Sequence, residues 1–260
     1  MAMDWGVFCK DTITGEASAN CLSSLFQIGT NTDPTYLDWL LKAWGWTLLV
    51  AVLSLFIALV LGTIMGTLRT IPTNVKGSRW LVGFATVWVE VFRNIPVLVQ
   101  VFVWYHVVPN IFPVMKGLPA YWLVCFALGF YSSARMAEQV RAGIQSLSSG
   151  QRMAALALGL STYQSYRYVI LPTAFRIIIP PLTSECMNLI KNTSVAFAVS
   201  VPELTLFAMQ AQEETSRGVE IYLAVTLLYA FSAFGVNRVM TLIEKRVAIP
   251  GTRSNLLTSH

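Results

Sequence analysis

The chain has 260 residues, of which 55% are hydrophobic and only 12% are charged. Ordinary soluble domains carry about 25% charged residues, so this composition leaves too little polar surface for a water-soluble globule and predicts an integral membrane protein. Two histidines, His106 and His260, do not supply a multi-histidine metal site, and no C-x-x-C pair points to a zinc or iron–sulfur cluster. The net charge of +5 is typical of basic cytoplasmic loops rather than of nucleic-acid binding.

Five apolar segments are long enough to predict helices that cross a membrane. In chain order they cover residues 44–68, 81–108, 118–134, 177–201 and 221–243. The sequence therefore predicts an all-α polytopic fold with an N-terminal segment (1–43), a transmembrane domain (44–243) and a C-terminal tail (244–260). The N-terminal residues are polar and lack the pattern of a cleaved signal peptide, so we expect the mature chain to start near Met1.

The charges along the chain predict its orientation. An odd number of spans places the two termini on opposite sides. Most of the 18 lysine and arginine residues fall in the loop after the first span, the loop after the third span and the C-terminal end, whereas the acidic residues concentrate on the other side. Because basic loops stay in the cytoplasm, we expect the N-terminus outside and the C-terminus inside.

The four cysteines divide according to this topology. Cys9 and Cys21 fall in the oxidising compartment, where they either pair or remain two free thiols, because spacing does not fix connectivity. Cys125 and Cys186 fall within spans and are interpreted as small apolar residues.

The second predicted span contains charged residues. Glu90 and Arg93 are three residues apart, so on a helix they share a face and are expected to form a structural ion pair. Asn94 and Pro96 follow, and proline removes a backbone donor. Lipid does not tolerate the unsatisfied carbonyl that results, so protein or water must line this point.

The fourth predicted span carries a polar stripe. Glu185, Asn188, Lys191 and Asn192 recur at spacings of three and four residues and therefore lie on one helix face. Polar groups at membrane depth usually face a bundle interior or a water-filled cavity. We interpret these four residues, with Arg93 and Asn94 nearby, as a candidate substrate pathway. The alternative is structural, because the four charged residues of the two spans sum to zero and pair with one another.

Gly62 and Gly66 form a small-x-x-x-small pattern in the first span, which permits close contact between helices. Packing within the chain is the favoured interpretation, and an interface between subunits is the alternative.

The loop between the third and fourth spans contains signals for two helices. Ser148 with Gln151, and Ser161 with Gln164, have the spacing of capping boxes. Gly159 is expected to end the first helix, and Pro172 to close the second. The first helix is lined with small residues that allow another backbone to approach closely, which favours docking into a groove of a partner. Those residues are Ala154, Ala155 and Ala157.

This loop resembles the signature loop of binding-protein-dependent ABC importer permeases, E-A-A-x(3)-G-x(9)-I-x-L-P. Ala154, Ala155, Gly159, Leu171 and Pro172 match, while Met153 replaces the first glutamate and Val169 the isoleucine. The stretches "EVFRNIPVLVQ" and "PPLTSECMNLIKNTS" resemble polar amino acid uptake permeases, and "FRNIP", "EQVRAGIQSL" and "YRYVILP" are most similar to glutamate/aspartate importers.

The resemblance implies a transport subunit in a bacterial inner membrane that works with three kinds of partner. These are two ABC ATPase subunits, a second permease subunit (identical or homologous) and an extracytoplasmic amino-acid-binding protein. A coupling loop over residues 141–172 would dock on the ATPase through Arg152, Met153, Ala154, Ala155, Gly159 and Leu160. No lysine has the P-loop neighbours, glycine before and serine or threonine after, so ATP and Mg²⁺ are expected on the partner and this chain needs no cofactor or metal.

Three other functions compete with an importer of acidic amino acids. An importer of another polar amino acid keeps the same architecture. A passive channel would share the polar stripe but leaves the docking loop unexplained. An intramembrane enzyme acting on lipid would need a nucleophile, base or metal at membrane depth, and His106 stands without visible partners. An anionic substrate would suit Lys191 or Arg93 as a carboxylate partner.

Overall fold

The computed structural model describes residues 3–16, 21, 35–72 and 77–247. Much of the predicted N-terminal segment, and the predicted tail from residue 248 onward with His260, lie outside the described residues. In the described part the chain is helical, and β-pairing is limited to an isolated bridge between Asp11 and Thr35. Two compact units are formed: Met1–Leu53 with Val97–Ala127 and Ile190–Ala233, and Ser54–Pro96 with Leu128–Leu189 and Phe234–His260. We call them unit 1 and unit 2.

Ten α-helices follow one another along the described residues. They are α1 (Tyr36–Leu68), α2 (Ser78–Asn94), α3 (Val97–Phe102), α4 (Val108–Ile111), α5 (Ala120–Gln145), α6 (Ser149–Ala157), α7 (Thr162–Ser165), α8 (Leu171–Asn192), α9 (Leu204–Thr215) and α10 (Gly218–Val247). Short 3₁₀ or π turns cover Trp5–Cys9, Val103–Val107, Pro113–Met115, Tyr166–Ile170 and Thr193–Val199.

Three of the described helical runs are long and apolar enough to cross a membrane: Tyr36–Leu68, Thr162–Val199 and Gly218–Val247. A fourth is added if α2 and the helical segment Val97–Ile111 are counted together as one bent span. The helix α5 covers the predicted third span, but its apolar run ends at Arg135. The all-helical membrane fold is therefore present, with three or four spans by this measure where the sequence predicts five.

In unit 2, the first span packs closely against α5 at the two glycines. A Cβ atom added at Gly62 would lie 2.7 Å from Cβ of Met136, and one added at Gly66 would lie 2.6 Å from the carbonyl oxygen of Ala137. Any larger side chain would push the two backbones apart. The prediction that the glycine pair serves packing within the chain is confirmed.

In unit 1, the N-terminal turn Trp5–Cys9, with its N-cap Asp4, packs against the neighbouring helices and hydrogen-bonds to them. Val7 and Phe8 are buried in one apolar cluster with side chains of α1, α9 and α10. The Asp4 amide donates a hydrogen bond to Glu220 at 2.8 Å. Cys9 and Cys21 form a disulfide, which resolves the open question of their pairing.

The first helix of the loop between α5 and α8 differs from the prediction at its start. Ser148 is the N-cap of α6, but its side chain makes no capping hydrogen bond, so the predicted capping box with Gln151 is not formed. The box predicted at Ser161 is present, because the Gln164 amide donates to Ser161 Oγ and the Ser161 amide donates to Gln164 Oε1. Gly159 follows the end of α6 as predicted, at φ +76°.

The prediction that Pro172 closes a helix is wrong. Pro172 is the second residue of α8, where a fixed φ and a missing N–H are tolerated. The residues before it form the π turn Tyr166–Ile170, in which the Leu171 amide donates to the Tyr166 carbonyl. Pro172 cannot donate to the Tyr168 carbonyl, so the wider turn forms where the regular α-helical bond is unavailable. The loop therefore runs into α8 as one helical path.

Candidate functional site

The helix α6 presents an apolar surface to its surroundings. Met153, Leu156 and Leu158 are 61%, 49% and 81% exposed. The helix ends in a Schellman motif, in which the Gly159 amide donates to the Leu156 carbonyl and the Leu160 amide to the Ala155 carbonyl. We call Met153, Leu156 and Leu158 the α6 surface. Exposing large apolar side chains to water is unfavourable, so a cluster of them on the surface indicates a contact with a partner.

The residues predicted to dock on an ATPase do not all belong to the α6 surface. Met153 and Ala154 are exposed, as is Gly159, and Leu160 is half-buried. Ala155 is only 2% exposed, so it packs inside this chain and is not available to a partner, which corrects its predicted role. Arg152 lies on α6, but its side chain is outside the described part of the chain.

The polar stripe predicted for the fourth span lies on α8, and its members differ in exposure. Glu185 is buried, Asn188 and Asn192 are half-buried, and Lys191 is exposed. Lys191 forms no ion pair with any residue that the structure describes.

Glu185 is paired with an arginine of α5 instead of with Lys191. Arg135 Nε donates to Glu185 Oε2 at 2.8 Å, and a terminal guanidinium nitrogen donates to Oε1 at 3.1 Å. This bidentate geometry is the strongest form of an arginine–carboxylate pair, and it neutralises the buried Glu185 carboxylate. Sequence reasoning missed this pair because the two residues are 50 positions apart.

A cluster of arginines surrounds Glu138 on α5. Arg69 lies 2.6 Å from Glu138 Oε1, Arg93 lies 3.4 Å from the same atom, and Arg141 lies 2.9 Å from Oε2. Glu138 was not singled out in the sequence. Its spacing of three residues from Arg141 is the local signal that could have indicated it.

The charged residues of the second predicted span belong to the same cluster. Arg93 donates to Glu90 at 3.0 Å, as their three-residue spacing predicts, and the Asn94 side chain donates to the carbonyl and the carboxylate of Glu90. These hydrogen bonds of Arg93 and Asn94, and that of Arg93 with Glu138, go to acidic residues or to the backbone of one within unit 2. Both side chains therefore hold this unit together, unlike Lys191.

Glu203, which the sequence does not indicate, is a fully buried acid in unit 1. Its carboxylate caps α9 by accepting from the Thr205 and Leu206 amides at 2.8 and 3.0 Å. The Tyr229 hydroxyl donates to the same carboxylate at 2.7 Å. Burial raises the pKa of Glu203 above its ordinary value, although these three hydrogen bonds act in the opposite direction.

Tyr166 lines two cavities among the described residues of unit 2. One of about 300 Å³ is also lined by Arg69, Ser148 and Gln151 among others, and a more apolar one of about 360 Å³ by Thr67, Ile71 and Leu171 among others. The Tyr166 hydroxyl donates a hydrogen bond to the Thr70 carbonyl at 2.6 Å. Among the described residues, no group of three or more His, Cys, Asp or Glu side chains is arranged to hold a metal ion.

Comparison with known proteins extends the resemblance found in the sequence. Residues 58–249 match the family described as binding-protein-dependent transport system inner membrane component. The chain is 39% identical to the glutamate/aspartate import permease protein GltJ of Escherichia coli K12, over 95% of this chain and 96% of that protein. It is 36% identical to the probable glutamine ABC transporter permease protein GlnM of Bacillus subtilis 168, over 77% and 89% of the two chains.

A solved structure has the same fold. The crystal structure of an amino acid ABC transporter with histidines superimposes with a TM-score of 0.69 and 27% identity, covering 81% of this chain and 95% of that chain. The family match covers most of the sequence, including the α6 surface and the polar stripe of α8. The chain therefore belongs to the inner membrane components of binding-protein-dependent transport systems, and it is a transport subunit rather than an enzyme.

Proposed function

We propose that this chain is the permease subunit of an ABC importer that moves an acidic amino acid, glutamate or aspartate, into the cytoplasm by ATP-driven alternating access. The observation that carries the proposal is the 39% identity to a glutamate/aspartate import permease over nearly the whole length of both chains. A permease for another polar amino acid is the second candidate, favoured by the 36% identity to a probable glutamine permease. A passive channel does not account for the α6 surface.

The proposed topology has five spans in a bacterial inner membrane, with the N-terminus outside. The positive-inside distribution of charge supports this orientation. The disulfide between Cys9 and Cys21 supports it independently, because disulfides persist in oxidising compartments such as the periplasm.

The proposed assembly contains two ATPase subunits, a second permease subunit and an extracytoplasmic binding protein. The α6 surface supports the ATPase contact, since three large apolar side chains exposed on and directly after one short helix need a covering partner. The Schellman motif at Gly159 supports it as well, because it ends α6 at a defined point next to the exposed Leu158.

The ATPase contact is tested by placing a charge on the α6 surface. We expect Leu158→Asp to abolish co-purification of the ATPase, because a buried unpaired carboxylate opposes complex formation. Val114→Asp is the matched control, because Val114 is 85% exposed but lies in the loop after α4. Wild-type ATPase binding by Leu158→Asp would refute the docking role of α6.

For the substrate pathway, we propose the stripe of Glu185, Asn188, Lys191 and Asn192 on α8, with Lys191 as the partner of a substrate carboxylate. The pairing pattern supports this choice, because the other candidate cation, Arg93, is bound by Glu90 and Glu138. Glu185, neutralised by Arg135, would hold α8 in place. We assign Arg93 and Asn94 to the packing of unit 2.

Uptake by vesicles that contain the whole complex tests the substrate and Lys191 together. We expect ATP-dependent uptake of glutamate or aspartate to fall about 10-fold or more in Lys191→Ala, because a charge-assisted hydrogen bond contributes about 1.5–3 kcal/mol. Lys191→Arg should retain part of the activity, and Lys116→Ala, an exposed lysine outside the helices, should retain all of it. Unchanged uptake by Lys191→Ala would remove this residue from the pathway. Wild-type vesicles that take up glutamine but neither acid would favour the second candidate.

A further inference from the structure

The C-terminal end of α2 lies close to the residue at which we expect α1 to leave the membrane. α1 runs without a charged residue from Trp44 to Leu68, and Arg69 follows directly. Arg69 and Arg93 both bind the same oxygen of Glu138, at 2.6 and 3.4 Å. Their guanidinium groups are therefore near neighbours and share one depth. Arg93 lies in the last turn of α2.

Three courses are open to the rest of α2, which extends over about 22 Å from Arg93 back to Ser78 at 1.5 Å per residue. A course into the hydrocarbon would carry Arg79 about 21 Å deep, past the middle of the bilayer core, at a high desolvation cost. A course away from the membrane would place the apolar side chains of α2 in water. A course along the membrane surface avoids both costs.

The exposed side chains of α2 fit the third course. Trp80, Phe84, Val87 and Val91 recur at spacings of three and four residues, and they are 87%, 57%, 63% and 43% exposed. We call them the α2 stripe. The buried side of the same helix, with Ala85 and Val89, packs against Met65, Ala134 and Ala137. The helix is thus apolar on two sides, one covered by the chain and one uncovered.

We propose that α2 is an interfacial helix whose α2 stripe lies in the acyl and headgroup boundary of the leaflet that borders Arg69. The occupant of the stripe is lipid. Apolar residues with a tryptophan at one end are typical of helices that lie in this boundary, and the exposed Arg79 beside Trp80 suits anionic headgroups. The crossing that the sequence places at residues 81–108 then begins only after Pro96, where Ile95 is extended and α2 has ended.

Nitroxide labels placed on α2 measure the depth of this stripe. The complete importer would carry Trp80→Cys, Phe84→Cys or Val91→Cys in vesicles of phosphatidylethanolamine and anionic phosphatidylglycerol. Depth follows from the ratio of collision rates with oxygen and with a water-soluble nickel chelate. We expect all three labels at one shallow depth, about 5–10 Å into the boundary. A helix that crossed the membrane would separate Trp80 from Val91 by about 16 Å in depth.

Labels on α1 supply the matched control. Phe56, Val60 and Ile64 are likewise exposed, and a spanning helix must separate the first and last of these labels by about 12 Å in depth. The two cysteines outside the disulfide, Cys125 and Cys186, are buried and give the background signal of the unsubstituted chain. Three outcomes overturn the proposal. The labels on α2 could show a depth gradient like that of α1, or they could collide with the nickel chelate alone. They could also be protected from both reagents, which would show that a second subunit covers the α2 stripe. The α1 gradient and ATP-driven uptake would persist in each case, so failure here leaves the proposed function intact.

Discussion

Glu138 in unit 2 and Glu203 in unit 1 are both acids held within helical packing, and their surroundings differ in kind. Glu138 is contacted by three arginines. Glu203 is 0% exposed and is held by two backbone amides and a tyrosine hydroxyl, with no cation among its described partners. Glu138 is stabilised by nearby positive charges. Glu203 is stabilised by the dipoles of neutral hydrogen-bond donors, which offset part of the cost of burying its carboxylate. The two acids should therefore respond differently to substitution and to pH.

The largest effect is expected for Glu138→Ala. This change leaves Arg69, Arg93 and Arg141 without their shared acceptor, and breaking such a partly buried network costs about 3–5 kcal/mol. The midpoint of thermal unfolding in detergent should fall accordingly. Glu213→Ala, which removes an exposed acid of α9, should stay within about 0.5 kcal/mol of the wild type. Equal stability of the two variants would mean that the arginine cluster contributes little.

An intermediate effect is expected for Tyr229→Phe. The change removes one donor from the Glu203 carboxylate, and hydrogen bonds to a charged group contribute about 1.5–3 kcal/mol. Tyr222→Phe on the same helix is the control, because that side chain is 42% exposed. A loss in Tyr222→Phe as large as in Tyr229→Phe would show that the effect belongs to tyrosine packing in α10 and not to Glu203.

The smallest effect is a dependence on pH that Glu203 should impose. Because burial raises its pKa in the folded chain, the folded state binds a proton more tightly than the unfolded state. The stability from this group is complete below the unfolded pKa of about 4.3 and is lost as the pH rises through the higher folded value. Thermal unfolding measured from about pH 4 upward should show this decline in the wild type and a flatter profile in Glu203→Gln. Identical profiles would show that Glu203 does not titrate in this range.

Features set by neighbouring residues were predictable in this chain. The apolar runs indicate α1, α8 and α10, and the spacing of Ser161 and Gln164 indicates the capping box that forms. The separation of Gly62 and Gly66 indicates the close contact with α5. The position of Gly159 indicates the end of α6. In each case the interactions that determine the structure either lie within one or two helical turns or require only that one helix face carry small side chains.

Two other predictions failed because the local sequence is compatible with more than one structure. Pro172 was interpreted as a terminator, although a proline near a helix start is as compatible with its fixed φ as one after a helix end. Ala155 was assigned to a docking face, although α6 turns it inward. Small residues are suited to both sides of a helix, so their identity does not select the buried side.

By itself the sequence determined the membrane environment, the transport family and the capping box at Ser161, because composition and short-range spacing carry that information. The tertiary structure alone decided which charges are neutralised. It paired Glu185 with Arg135, gathered three arginines on Glu138, buried Glu203 against Tyr229 and left Lys191 without an ionic partner among the described residues. These pairs join residues separated by as many as 69 positions, and chain spacing carries no signal at that range. Arg69 and Arg93 lie side by side for the same reason, because both contact one oxygen of Glu138.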